Sequence, residues 1–118
     1  MHIVLSPAKT LDFDSPRVHS TCTEPEFLSF SKDLISGLKN LSSEEISELM
    51  AISPKLAELN RERFVNWQPS PTEKNSKQAI LAFKGDVYEG MRAWEFSKKD
   101  FAYAQKNLRV LSGLYGIL

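Results

Sequence analysis

The sequence predicts a mixed α/β fold. Three short apolar runs suit buried strands: Ile3-Val4-Leu5, Ala79-Ile80-Leu81-Ala82-Phe83 and Leu108-Arg109-Val110-Leu111-Ser112. Between them lie segments whose apolar residues recur at spacings of three and four, the period of amphipathic helices. Strands interleaved with helices imply at least some parallel pairing. The chain has 118 residues, 42% of them hydrophobic, enough for one domain with a core that needs no covalent staples.

Each element has a local reason. Ile3-Val4-Leu5 is stopped by Ser6-Pro7, because proline cannot donate to a ladder. Residues 8–22 carry Asp12, Asp14, Pro16 and several hydroxyl side chains without helical period, so they read as a long ordered loop. Thr23-Glu24-Pro25-Glu26 has the form of a capping box, predicting a helix with Phe27, Leu28, Phe30, Leu34, Ile35 and Leu38 on its apolar face. A second box, Ser42-Ser43-Glu44-Glu45, opens a short helix that would turn Ile46, Leu49 and Met50 inward. Ser53-Pro54 starts a third helix, running through Leu56, Leu59 and Phe64 toward Trp67, and Gln68-Pro69-Ser70-Pro71 ends it. Gly85 to Gly90 reads as a turn leading into a short helix, with Asp86 as a candidate cap. Ser97-Lys98-Lys99-Asp100 caps another helix through Gln105. The last apolar run, through Leu114, Tyr115, Ile117 and Leu118, carries no covering helix and needs a partner surface.

The composition excludes a disordered tail, a collagenous repeat and a disulfide-stapled secreted module. A single cysteine, Cys22, and no cationic leader point to the cytoplasm. No apolar run approaches the ~20 residues of a membrane helix, so no membrane partner is expected. Fifteen Lys and Arg balance fifteen Asp and Glu, which by itself does not mark a nucleic-acid binder. The balance is uneven along the chain. Residues 1–59 hold five basic against nine acidic side chains, and residues 60–118 hold ten against six, giving −4 and +4. Arg61, Arg63, Lys74, Lys77 and Lys84 supply much of the positive half, and such cations bind phosphate even on a neutral protein.

Residues 43–66 resemble a helix-hairpin-helix element, a device that binds DNA without reading its sequence. Two short helices flank a tight connection, and a small residue, Ala57, follows it. In such elements the hairpin amides and the second helix's N-terminus meet backbone phosphate. Lys55 would add a phosphate contact from that helix's first turn. This hairpin differs from the usual pattern in having Ala51 and Ser53-Pro54 where glycines are common. A pair of helices that merely packs the core is the competing reading.

Three further segments, taken together, resemble the YaaA family of bacterial peroxide-resistance proteins. They are Leu5-Ser6-Pro7-Ala8-Lys9-Thr10-Leu11, Phe83-Lys84-Gly85-Asp86-Val87-Tyr88-Glu89-Gly90 and Leu111-Ser112-Gly113-Leu114-Tyr115-Gly116. The resemblance spans essentially the whole chain. It implies an α/β fold with a helix-hairpin-helix element, a positive cleft and binding to duplex or branched DNA without sequence specificity. It also implies protection against peroxide by lowering free intracellular iron. Family members are longer, so residues 1–118 read as the N-terminal part of one larger domain.

Lys9, Lys55, Arg61, Arg63, Lys84 and Tyr88 are therefore the candidate DNA contacts, the cations for phosphate and Tyr88 as a stacking face. Tyr115 is a second candidate for stacking, or a core aromatic. An alternative is an enzyme acting on DNA or a nucleotide in the manner of a glycosylase or lyase, with Lys9 as amine and Asp86 as carboxylate. A nucleotide pocket between the glycine-containing turns is a third reading. No cofactor is expected. His19 and Cys22, near Asp12 and Asp14, form no recognised metal pattern, and with the acidic Glu24 and Glu26 as neighbours Cys22 reads as an inert loop thiol.

Overall fold

The computed structural model describes residues 1–18 and 22–118. Along the chain it contains β1 (Ile3–Leu5), β2 (Thr10–Leu11), α1 (Leu28–Leu38), α2 (Ser43–Met50), α3 (Pro54–Asn66), α4 (Ala79–Ala82), β3 (Phe83–Lys84), α5 (Asp86–Met91), a 3-10 turn (Ala93–Glu95), α6 (Lys98–Asn107), β4 (Leu108–Ser112) and β5 (Gly116–Ile117). The fold is mixed α/β, as its interleaved periodicities predict. Two compact units divide the chain: Met1–Glu26 with Pro71–Leu118, and Phe27–Ser70.

In the first unit β1 pairs parallel with β4, Ile3 opposite Leu108, Val4 opposite Arg109 and Leu5 opposite Val110. β5 returns antiparallel on the other side of β4, Leu111 opposite Ile117 and Ser112 opposite Gly116. The pairing extends one step further through reciprocal bonds between Val110 and Leu118, 2.8 and 2.9 Å. A second, two-stranded ladder joins β2 to β3. Ala82, Tyr88, Ala93 and Val110 are the buried core. α6 starts as its sequence predicts, with reciprocal Ser97 and Asp100 capping bonds.

The run from Ala79 to Phe83, predicted as a strand, is instead a single helical turn followed by β3. Leu81 and Ala82 amides donate to the Gln78 carbonyl at 3.0 and 2.9 Å. A short apolar run carries no period that separates strand from helix, and its alanines favour the turn. The N-cap of α5 is Gly85, not Asp86, whose carboxylate lies in the first turn, where the helix dipole favours it.

In the second unit α2 and α3 pack together, and α1 contacts α3. Ser31 and Ile35 of α1, Ile46 of α2, and Ala57 and Asn60 of α3 are buried. Both predicted caps form: Ser42 and Glu45 close the full box on α2, and Ser53 caps α3 with Pro54 at its start. α1 differs from its predicted start. The Thr23–Glu26 box is unused, and the helix opens at Leu28 without any side-chain cap. Pro25 biases Glu24 toward extended backbone, and the Phe27 carbonyl accepts the first helical bond, from Ser31 at 3.0 Å. The predicted inward face is also partly reversed: Phe30, Leu34 and Leu49 are 65%, 48% and 64% exposed. The small side chains Ser31 and Ala57 occupy the interior instead.

Candidate functional site

The first motif begins where β1 ends. Ser6 and Pro7 carry the chain off the sheet, Lys9 makes a bend, and Thr10-Leu11 return as β2. β2 lies antiparallel to β3, Thr10 opposite Lys84 and Leu11 opposite Phe83. The Asp12 amide continues that ladder to the Ala82 carbonyl at 2.7 Å. The first and second motifs are thus hydrogen-bonded neighbours. Their backbones stay close beyond the ladder: a Cβ added at Gly85 would stand 3.5 Å from the Cβ of Ala8.

Tyr88 locks this arrangement. It is 4% exposed; its hydroxyl donates to the Ser6 carbonyl at 2.6 Å, and its ring lies 5.5 Å from that of Phe83. Burial raises the phenol's pKa above its ordinary value, keeping the donor protonated across the neutral range. The face that the sequence offered for stacking on a base is turned into the core. In this structure Tyr88 fixes one motif against the other.

The third motif arrives on β4. Because Leu5 pairs parallel with Val110, β4 runs out through Ser112 into Gly113 at the same end at which β1 runs out into Ser6-Pro7. The turn is closed by the Tyr115 amide donating to Ser112 Oγ at 3.1 Å, and Gly116 takes a φ of 77°, a left-handed value that glycine adopts without strain. All three motifs therefore gather at the C-terminal ends of a parallel strand pair, the edge at which open α/β sheets commonly bind ligands. Lys9, Lys84 and Asp86 are exposed there. The ladder brings the segments bearing Lys9 and Asp86 side by side.

The remaining candidates belong to the helical unit. Lys55 is exposed in the first turn of α3, which holds no acidic residue. Arg61 is half-buried and near Glu44. That carboxyl is held below its usual range by its own backbone N–H, then by the Ser42 hydroxyl, with the Arg61 charge adding to both. Arg63 is half-buried, and desolvation lowers its pKa. The surface beside this hairpin is acidic: a shallow groove of about 280 Å³ is lined by Ser43, Glu44, Ser47, Glu48 and Pro54. The turn itself is well ordered. Ala51 caps α2 in left-handed backbone (φ 51°, ψ 52°), and Ser47 Oγ donates to the Ile52 carbonyl at 2.6 Å.

Folding redistributes the charge that the sequence splits into −4 and +4. The helical unit holds five basic and six acidic residues, and the sheet unit ten and nine. Of the expected cations, Lys77 is occupied internally, its Nζ donating to the Asp12 and Ser15 carbonyls, both at 3.0 Å. Asp12 is occupied too. It accepts from the Ser15 hydroxyl and from the Asp14 and Ser15 amides, and these bonds, the Ser15 hydroxyl's foremost, lower its pKa to about 2. Cys22 is exposed, while His19 lies outside the described residues. Among the described residues no group of three or more His, Cys, Asp or Glu is placed to hold a metal ion, and no helix is long and apolar enough to cross a membrane.

By fold this is a mixed α/β protein whose three distinctive loops share one sheet end. The chain belongs to the YaaA family: the profile described as "Peroxide stress protein YaaA" matches residues 1–118. A relative named UPF0246 protein, from Cellvibrio japonicus (strain Ueda107), is 55% identical over 115 residues. That match covers 98% of this chain and 45% of the relative, so the chain spans a little under half of the relative's length.

Proposed function

We propose that this chain serves its family's peroxide stress role by binding the phosphate backbone of duplex or branched DNA, without sequence preference. One observation carries the reading: three separated motifs meet at the C-terminal ends of β1 and β4, with exposed Lys9 and Lys84 on adjoining segments. Backbone phosphate is a ligand for such cations, and binding by charge alone is indifferent to base sequence. Lys55, exposed in the first turn of α3, supports the same reading from the helical unit, although Glu44 and Glu48 lie in the groove that Pro54 also lines. Arg61 and Arg63 contribute less because each is half-buried. Protection of DNA and a lowering of free iron are proposed for the whole protein, of which this chain is one part.

The test is fluorescence anisotropy on a labelled duplex across a salt series, using the full-length relative. Reversing the charges at the positions matching Lys9 and Lys84 should weaken binding at low salt. It should also reduce the slope of log K against log salt by roughly one for each phosphate no longer neutralised. Binding and slope unchanged by the double reversal would remove the lysines from the interface.

A second reading, an enzyme with a lysine nucleophile, is favoured by the adjacency of the Lys9 and Asp86 segments. A lysine amine attacking an abasic-site aldehyde would form an imine with loss of water, and borohydride would reduce that imine to a stable amine. A trapped adduct that disappears in Lys9→Met supports this reading; no adduct retires it.

A further inference from the structure

The sheet of the first unit has two unlike faces. Residues paired across a ladder share a face, and neighbours along a strand alternate. Ile3, Leu5, Leu108, Val110 and Leu118 therefore lie on one side. Val110 on that side is 2% exposed, and Ile3 and Leu108 share a groove with Tyr103 and Ala104 of α6, although Ile3 at the sheet edge keeps 37% of its surface exposed. Val4, Arg109, Leu111 and Ile117 form the other side. Three of these four are apolar, and they are 59%, 43% and 52% exposed for Val4, Leu111 and Ile117. They are contiguous across all three strands, because Val4 pairs with Arg109 and Leu111 with Ile117. Arg109 does not make the face polar. Its guanidinium folds back to donate to the Gln105 and Leu108 carbonyls, both at 2.7 Å, leaving its aliphatic stem between its apolar neighbours.

All-parallel sheets are covered on both faces, whereas an antiparallel sheet that leaves one face in water makes that face polar. In this mixed sheet the outer face is instead apolar at three of four positions, the mark of a surface packed against another element. Among the described residues, one face has α6 beside it and no helix is seen to cover the other. More than half of the relative's length lies outside the matched region, ample for a further layer.

We propose that the face formed by Val4, Leu111 and Ile117 is an intramolecular docking surface. Its occupant is an apolar helix face from the part of the full-length family chain that these 118 residues do not span. That seat has a consequence for the motif end of the sheet. Leu111 lies directly before Ser112-Gly113, so a helix seated on Leu111 borders the loop at which the motifs converge and supplies a wall there.

The experiment is thiol accessibility. Single cysteines are placed at the positions matching Val4, Leu111 and Ile117 in the full-length relative, in a background without other cysteines. The position matching Lys99, on the exposed part of α6, carries the control cysteine, and alkylation rates are measured in the full-length protein both natively and in denaturant. The proposal predicts that the three sheet positions react roughly tenfold or more slowly in the native protein than in denaturant, as expected for sites exposed only on local opening. The control should react at similar rates in both. Val4→Cys is nearly isosteric, so it reports even where a larger change disturbs packing. Native rates at the sheet positions equal to the control's would overturn the proposal. So would protection that disappears on dilution, which would assign the face to a second copy.

Discussion

Several single side chains here hold positions whose effects are measurable. Tyr88 spans two motifs through one hydroxyl, and Tyr88→Phe should cost about 1 kcal/mol, the ordinary net worth of a hydrogen bond. Chemical denaturation would show it. Since the folded pKa of this phenol is raised above its unfolded value of 10.0, its contribution is complete below pH 10 and declines as pH rises beyond it. Asp12 behaves in the opposite sense. Its folded pKa of about 2 lies below the ordinary 3.8, so its contribution is complete above pH 4 and is lost as pH falls toward 2. Asp12→Asn should flatten that acid limb of the stability profile. Ala51 holds left-handed backbone that costs an L-residue ~1 kcal/mol or more. Ala51→Gly should therefore stabilise the hairpin by roughly 0.5–1 kcal/mol after the added freedom of the unfolded chain is offset. A drop in stability would contradict the assigned turn.

At the scale of elements, legibility followed the kind of signal each segment carries. Capping boxes at Ser42 and Ser97 and the Ser53-Pro54 start are local hydrogen-bond chemistry, and all three form as read. Ser42→Ala should accordingly cost about 1 kcal/mol, measured by thermal or urea unfolding. The box at Thr23 failed because residue types alone do not show which carbonyl opens a helix. The Ala79–Phe83 run failed because a short apolar stretch has no decisive period. The inward face of α1 failed for a tertiary reason. Ser31 and Ala57, together with Ile35 and Ile46, take the buried positions, and Phe30 and Leu34 stay outside. No period within a single helix encodes its partner's side-chain size.

At the scale of the molecule, the most informative feature was invisible along the chain. Lys9, Lys84 and Ser112 are far apart in sequence, and only the β1–β4 register and the β2–β3 ladder bring their motifs to one sheet end. The charge division by halves was legible but did not survive folding, since the units regroup residues 1–26 with 71–118. Tyr88 was read as a stacking face in a glycine-containing turn, and the fold buries its ring to 4% exposure, which no local pattern around it announces. The apolar end at Ile117 was legible as needing cover. The fold adds that Val4 and Leu111 share its face.

Amide chemical shifts of the isotope-labelled 118-residue chain, titrated with a short DNA duplex at low salt, decide whether the three motifs form a single phosphate-binding edge. One contiguous footprint is expected: Lys9 and Thr10, Lys84 through Asp86, and Ser112 with Gly113 shift together and saturate at one midpoint. Shifts confined to other surfaces, or separate midpoints for the three motifs, would contradict it.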